Sequence, residues 1–271
     1  MFDPTHLTYE IEDSTALIRL DRPGKLNALS EALVAELDAG MHRAVDDGVR
    51  AVVLTGTGEA FSSGYDLTES GGTPESGSLP SVEDGLDRQR RVLPVFETIH
   101  ELPVPVIAAV NGHALAGGSD LALTCDLTIA GESATFGYPG VRMGGLSLSL
   151  VYPFVMGIKH ARELMYTGKT IDAAEAERIG MVNRTVPDEE LMDAAFEEVD
   201  AIKKTPRATL RITKHMLNDV VEMQGYRPAV RNSGYMATLS HQTEYGKTFF
   251  EIRENEGIGA AIEWMNETDK P

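Results

Sequence analysis

Apolar positions change their spacing in blocks along this chain, and each spacing predicts an element. LTYEIEDSTALIRL alternates apolar and polar residues on either side of Glu12-Asp13-Ser14. Period-two alternation around a turn-prone centre predicts a β-hairpin. Ser30 can cap a helix, and behind it Leu33, Val34, Leu37, Met41 and Val45 recur at helical spacing, predicting one buried helix face. The runs AVVLT (51–55), PVIAAV (105–110) and LTIA (127–130) are short and continuously apolar. Runs of that kind predict strands covered on both faces, as in parallel sheets.

Glycine follows each run: GTGEAFSSGYDL after the first, Asn111-Gly112 after the second, Gly131 after the third. The segment from Glu69 to Gly85 is rich in Gly, Ser, Pro and Glu and predicts a mobile loop. A helix-like stretch follows to about Leu102. Strand, glycine turn and helix thus recur without a fixed period, which predicts the α/β fold class. From about Asp188 the pattern becomes helical throughout. DEELMDAAFEEVDAIKK and TPRATLRITKHMLNDVVEM, the latter with Pro206 in its first turn, predict successive amphipathic helices, continuing to AIEWMNE. The expected division is a core over 1–195 and a helical oligomerisation region over 196–271.

Composition narrows the partners. Among 271 residues, 42 Asp plus Glu face 24 Lys plus Arg, for a net charge of −18. That charge disfavours nucleic acid and anionic membranes. With only eight lysines, it suits a salt-adapted, halophilic cytoplasm where ions screen self-repulsion. Cys125 is the sole cysteine and sits in the apolar LALTCDL, which predicts an inert buried thiol in a reducing compartment. The N-terminal MFDPTHLTYEIED lacks an apolar signal core, and LSLSLVYPFVMG is too short and interrupted to span a bilayer. The expectation is a soluble cytoplasmic protein.

Several catalytic templates are missing. The chain has no G-x-S-x-G elbow, P-loop, H-E-x-x-H or C-x-x-C. GTGEAF places Phe61 where a dinucleotide fingerprint needs its third glycine, and the seven histidines lack metal-ligand spacing. No metal is expected.

Four stretches in order do point to one family: RPGKLNAL (22–29), VVLTGTGEAFSSGYDL (52–67), PVPVIAAVNGHALAGGSDLALTCDLTIAGESATFGYP (103–139) and LMYTGKTIDAAEAERIGMVNRTV (164–186). Together they resemble the crotonase (enoyl-CoA hydratase/isomerase) superfamily, across nearly the whole chain. The resemblance implies a spiral of repeated ββα units, a helical C-terminal trimerisation region and acyl-CoA thioester substrates. Coenzyme A would enter as part of the substrate, with no tightly bound cofactor. The assembly would be a homotrimer or dimer of trimers, with C-terminal helices completing a neighbour's CoA site.

Chemistry beside a thioester carbonyl needs its oxygen stabilised as enolate charge develops, and fixed backbone N–H groups do this well. Gly64 permits a tight turn that can aim the Tyr65 N–H at a ligand, and Gly117 opens a helix whose first N–H groups favour negative charge. By resemblance, Tyr65 and Gly117 supply the oxyanion pair. The resemblance likewise assigns Lys25, Ala28, Ala60, Ser62, Gly64, Asp66 and Leu67 to the CoA groove. Leu115, Gly118, Pro139 and Gly140 continue the substrate site, and Lys247 and Phe250 reach it from a C-terminal helix.

A hydratase of this family uses two glutamates. Here the first position is Asp120 and the second is Gly140, which has no side chain. Asp120 is therefore the candidate acid/base, or else a partner of the helix dipole. Tyr138 is the first candidate helper, with Tyr65 and His113 behind it. Arg142 could bind an acidic acyl group or a surface carboxylate. The leading expectation is an enoyl-CoA hydratase-like lyase. A double-bond isomerase, decarboxylase or thioester hydrolase of the same superfamily, and a non-catalytic acyl-CoA-binding homologue, are the alternatives.

Overall fold

A computed structural model of the chain describes residues 2–67 and 81–266. The hairpin pairs β1 (Leu7–Glu12) antiparallel with β2 (Thr15–Leu20). Asp13 and Ser14 at its turn have φ of 42° and 61°, the left-handed pair whose twist matches the flanking strands. Helix α1 (Glu31–Asp46) starts at Ser30, whose side chain accepts the Leu33 N–H. Its buried stripe is Leu33, Val34, Leu37, Met41 and Ala44. Val45, expected on that stripe, is instead 38% exposed, because Ala44 already takes the core-facing place in the last turn.

The next three units share one construction. Each gives a strand to a large sheet, a short strand to a second sheet, and then a helix. They are β3 (Ala51–Gly56), β4 (Ala60–Ser62) and α2 (Val82–Glu101); β5 (Val106–Val110), β6 (His113–Leu115) and α3 (Gly117–Thr124); and β7 (Leu127–Gly131), β8 (Thr135–Gly137) and α4 (Tyr152–Thr167). After them come β9 (Thr170–Asp172), α5 (Ala173–Arg178), β10 (Arg184–Val186) and α6 (Leu191–Lys203). The large sheet runs β1-β2-β3-β5-β7-β10, parallel from β2 onward, and the small one runs β4-β6-β8-β9. This is the ββα spiral. Its three-residue strands are too short for a periodicity signal.

The predicted loop 69–85 falls mostly outside the described residues, but its end is helical. Ser81 and Asp84 form a reciprocal capping box that starts α2 at Val82. Gly85 lies inside that helix, where a β-carbon would stand 2.5 Å from Cγ2 of Thr238. At positions 81–85 the small, polar residues mark a helix cap and a close helix–helix crossing.

Strands β2, β3, β5 and β7 are buried on both faces. One face joins α1, α2 and α3 in the main core, and the other packs Leu17, Val53, Ile107 and Ile129 against Leu191, Ala195 and Val199 of α6. Four further helices complete the described residues: α7 (Arg207–Met223), α8 (Tyr226–Ser240), α9 (Glu244–Glu256) and α10 (Ile258–Asn266). Pro206 caps α7 from just outside its first turn. The α8 helix lies on α2 of the same chain, where Gln89 donates to the Gly234 carbonyl and to Thr238 Oγ1. Among the described residues, no helix is long and apolar enough to cross a membrane.

Candidate active site

Two segments approach at the ends of β4 and β6. Gly64 has φ +102°, and a β-carbon there would lie 2.8 Å from the Leu115 carbonyl oxygen and 3.2 Å from the Gly117 nitrogen. Gly118 is equally required, since its β-carbon would stand 2.2 Å from the Ser62 carbonyl oxygen. Ala116 links β6 to α3 at φ 48°, a conformation that costs an L-residue energy and persists only where neighbours hold it. Its N–H donates to the Gly137 carbonyl, and its own carbonyl accepts the Asp120 N–H. The Gly64 carbonyl accepts from Leu29, and the Leu29 carbonyl accepts from Asp66. That pairing skips the Tyr65 N–H. Among the described residues, neither the Tyr65 nor the Gly117 N–H has an acceptor.

The loop that carries Gly64 and Tyr65 is clamped from beneath. Arg22 Nη2 meets Asp66 Oδ2 at 2.9 Å, and Arg22 Nη1 donates to the Ala28 carbonyl. Ser62 Oγ donates to the Asn27 carbonyl, while the Ala60 carbonyl accepts from Asn27 Nδ2. Lys25 is exposed, and its carbonyl accepts from the Ala28 N–H. These predicted groove residues thus share one hydrogen-bonded loop.

Tyr65 turns its ring onto Gly117, where a β-carbon would meet Cε2 at 2.7 Å. The guanidinium of Arg88, from α2, stands 5.1 Å from the centroid of that ring. Behind the ring lies Asp120, wholly buried in the first turn of α3. Its Oδ1 accepts from Ser147 Oγ at 3.0 Å. Asp120 Oδ2, Ser119 Oγ, Tyr65 Oη and Tyr152 Oη are buried without a hydrogen-bond partner among the described residues. Burial pushes the Asp120 carboxyl up to about 7, against the opposing pull of Ser147, Tyr152, the Leu148 N–H and Tyr65. Burial, and then the charge of Asp120, raises the phenols of Tyr65, Tyr138 and Tyr152 well above their ordinary range. The result is a carboxyl poised near neutrality among phenols that stay protonated.

A cavity of about 100 Å³ opens beside this cluster. Tyr65, Leu67, Ala116, Tyr138 and Gly140 wall it from the spiral, and Arg88 walls it from α2. Ala237, His241, Phe249 and Phe250 close it from the C-terminal helices. The predicted residues Tyr65, Leu67, Tyr138, Gly140 and Phe250 therefore converge, and Asp120 sits behind their wall. Leu115 ends β6 and Pro139 precedes Gly140 at the site's edge.

Other expectations land elsewhere. Lys247 is exposed on α9 and outside the wall. His113 is exposed on β6, with Nδ1 at 2.7 Å from Thr135 Oγ1, since its neighbour Ala114 takes the inward face of the strand. Arg142 Nε donates to the Thr167 carbonyl, which fits neither the acyl site nor a surface ion pair. The C-terminal helices α8 and α9 wall the cavity of their own chain. Sequence reasoning missed Arg88, Ser147, Tyr152 and His241. Arg88 lay in a charged helix, and the others carried no motif. Among the described residues, no group of His, Cys, Asp or Glu could hold a metal ion.

The fold recurs in known proteins. The family model described as enoyl-CoA hydratase/isomerase matches residues 10–256. A short-chain-enoyl-CoA hydratase of Clostridium acetobutylicum is 35% identical over 77% of this chain and 79% of its own length. The crystal structure of an enoyl-CoA hydratase/isomerase from Xanthobacter autotrophicus Py2 superposes with a TM-score of 0.91 at 33% identity, covering 99% of this chain and 100% of that one. A monofunctional enoyl-CoA isomerase from M. smegmatis superposes at 0.66 with 33% identity, over 80% of this chain and 94% of its own. The chain belongs to the crotonase superfamily, as an enoyl-CoA hydratase/isomerase-family enzyme acting on acyl-CoA.

Proposed function

We propose that the protein forms a thioester enolate between the Tyr65 and Gly117 N–H groups, and that Asp120 moves the proton. The observation that carries this is the juxtaposition of two undonated N–H groups with a buried carboxyl titrating at about 7. Near that pH a carboxyl is divided between acid and base, the condition for general acid–base catalysis in both directions. Tyr65 belongs to both parts, since its ring walls the cavity and its hydroxyl neighbours Asp120. It is the route by which a proton passes between the carboxyl and the ligand.

In hydration of a 2-enoyl-CoA, water oxygen bonds to the β-carbon and the π electrons move onto the thioester oxygen. The water's proton goes to Asp120, and the enolate takes a proton back at the α-carbon. Gly140 supports a second reading, because it lines the cavity without offering a carboxylate to hold that water. Double-bond isomerisation needs only one base, which removes a proton from the γ- or α-carbon and returns it to the other.

Purified protein incubated with 2-enoyl- and 3-enoyl-CoA esters distinguishes the two. Loss of the conjugated absorbance reports hydration, and its appearance reports isomerisation. Asp120→Asn is expected to lower either rate by about 10²–10⁴-fold. Absence of turnover with every ester, despite measurable binding, would make this a non-catalytic acyl-CoA binder.

We also infer assembly from copies of this chain, as a trimer or a pair of trimers. Ile212, Met216, Leu217, Val220 and Met223 form an exposed apolar row on α7, from 50% to 87% exposed. An apolar face of that extent marks an interaction surface.

A further inference from the structure

The end of α1, the approach to β5 and the start of α7 enclose a second cavity, of about 310 Å³. Arg50 and Val104, which precede β3 and β5, line it, whereas the turns of the active site follow β4 and β6. It therefore opens at the other edge of the large sheet. The six residues of β3 rise ~3.3 Å each, so about 20 Å of strand separates the two places.

Three arginines, Arg50, Arg207 and Arg211, carry the charge of this wall, and the rest is mostly apolar, with Val45, Val49 and Leu210 among it. In a chain carrying −18, three cations thus share one cavity, and no carboxylate lines it among the described residues. Two of them are anchored on neutral groups. Arg50 Nη2 donates to the Lys203 and Thr205 carbonyls, and Arg207 Nη1 and Nη2 donate to the Val49 and Gly48 carbonyls. Carbonyls orient a guanidinium without cancelling its charge, and they leave other N–H groups of the fork unused. Arg50 Nε is buried with no acceptor among the described residues. Arg211 has neither a hydrogen bond nor an ion pair among them.

The helix that carries two of these arginines begins at the same wall. Pro206 is its N-cap, no side chain caps it, and no acidic residue stands in its first turn. A helix start favours negative charge and disfavours an arginine. The first turn of α7 therefore adds to the positive field of the cavity instead of relieving it.

We propose that this cavity is a binding site for a phosphate group, free or carried on a small molecule. Guanidinium forks match phosphate oxygens with paired, charge-assisted hydrogen bonds. The apolar part of the wall leaves room for a compact body behind the phosphate, since ~300 Å³ is the lower end of small-ligand pockets. The bound group ties the end of α1, the α6–α7 link and the first turns of α7 together through the three arginines. Lying at the far edge of the sheet, it does not compete with acyl-CoA.

Calorimetric titration of the full chain with inorganic phosphate and with phenyl phosphate, at an ionic strength fixed with chloride, tests the site. One anion per chain is expected. Tm should also be higher in phosphate than in chloride of equal ionic strength, because a ligand of the folded state stabilises it. Arg211→Met, which breaks no hydrogen bond or ion pair among the described residues, should weaken phosphate binding about tenfold or more, the scale of a hydrogen bond to a charged group. Arg211→Lys should retain part of the affinity. Tighter binding of phenyl phosphate than of inorganic phosphate would assign the site to a phosphomonoester with an apolar body, and equal or weaker binding would assign it to free phosphate. An unmodified protein that binds neither anion, and melts at the same temperature in phosphate and in chloride, would overturn the site. Full affinity retained in Arg211→Met would do the same. Displacement of phosphate by an acyl-CoA ester would place the anion in the thioester groove and overturn it as well.

Discussion

The ring of Tyr65 lies against the α-carbon of Gly117, so that a β-carbon at position 117 would stand 2.7 Å from Cε2 and 2.8 Å from Cζ. The two residues proposed to share the oxyanion therefore also pack on each other. Gly117 is required by contact, whereas Gly64, at φ +102°, is required by backbone conformation as well. From this seat the Tyr65 hydroxyl reaches the neighbourhood of Asp120, one helical turn beyond Gly117.

Gly117→Ala should push Tyr65 aside and disorder the donor pair while leaving the sheet intact. The expected loss in kcat is about 10²–10³-fold, as for removal of one oxyanion donor, with an unchanged far-ultraviolet circular dichroism spectrum. A loss below about tenfold would show that the ring yields without moving the donors.

If Asp120 acts as the base, kcat/KM rises with pH through about 7. Ser147 and Tyr65 both pull the Asp120 titration downward. Ser147→Ala and Tyr65→Phe should therefore each move the midpoint of the pH–rate profile upward. A midpoint that stays put in both variants would assign the profile to another group.

Asp120 also links stability to pH. Its folded-state titration, at about 7, lies above the ordinary 3.8, so the unfolded chain releases this proton first. Stability from this group is present below about pH 4 and is lost as pH rises toward 7. The loss amounts to a few kcal/mol, at ~1.4 kcal/mol per pH unit between the two titrations. Asp120→Asn cannot ionise, so its Tm should gain on the parent as melts move from about pH 5 to about pH 8. A Tm difference independent of pH would contradict a buried, displaced carboxyl.

The clamp under the loop that carries Tyr65 joins Arg22 and Asp66, 15% and 3% exposed. Removing Arg22 takes a charge-assisted hydrogen bond from the buried Asp66 carboxylate, at a cost of ~1.5–3 kcal/mol. Arg22→Met should show that loss in urea denaturation. Arg22→Met with Asp66→Asn should cost less than the sum of the two single changes, since the two side chains interact directly.

The apolar row on α7 should be covered in solution. Light scattering at high salt is expected to give a multiple of three chains. Met216→Lys with Val220→Lys should lower the mass, while a monomer in the parent protein would refute the assembly.

The framework of this protein was legible in its linear pattern. Alternation around Asp13-Ser14 foretold the hairpin, and the apolar runs at 51–55, 105–110 and 127–130 became β3, β5 and β7. Those features are local, because strand burial and turn conformation act within a few residues. Gly64 and Gly117 were legible for the same reason, and the family resemblance placed them in one site.

What remained hidden depends on contacts between distant segments. An aspartate in a first helical turn reads equally as a dipole partner; only burial in the folded core raises its titration to about 7, against the opposing pull of Ser147, Tyr152 and Tyr65. Arg88 looked like one charge in a polar helix until α8 and α9 brought Ala237, His241, Phe249 and Phe250 to the same cavity. Burial is a property of the assembled chain, and desolvation follows burial. The sequence determined where the backbone turns and which faces are apolar. The tertiary structure decided which of its many charges lost their water, and so which groups the site can use.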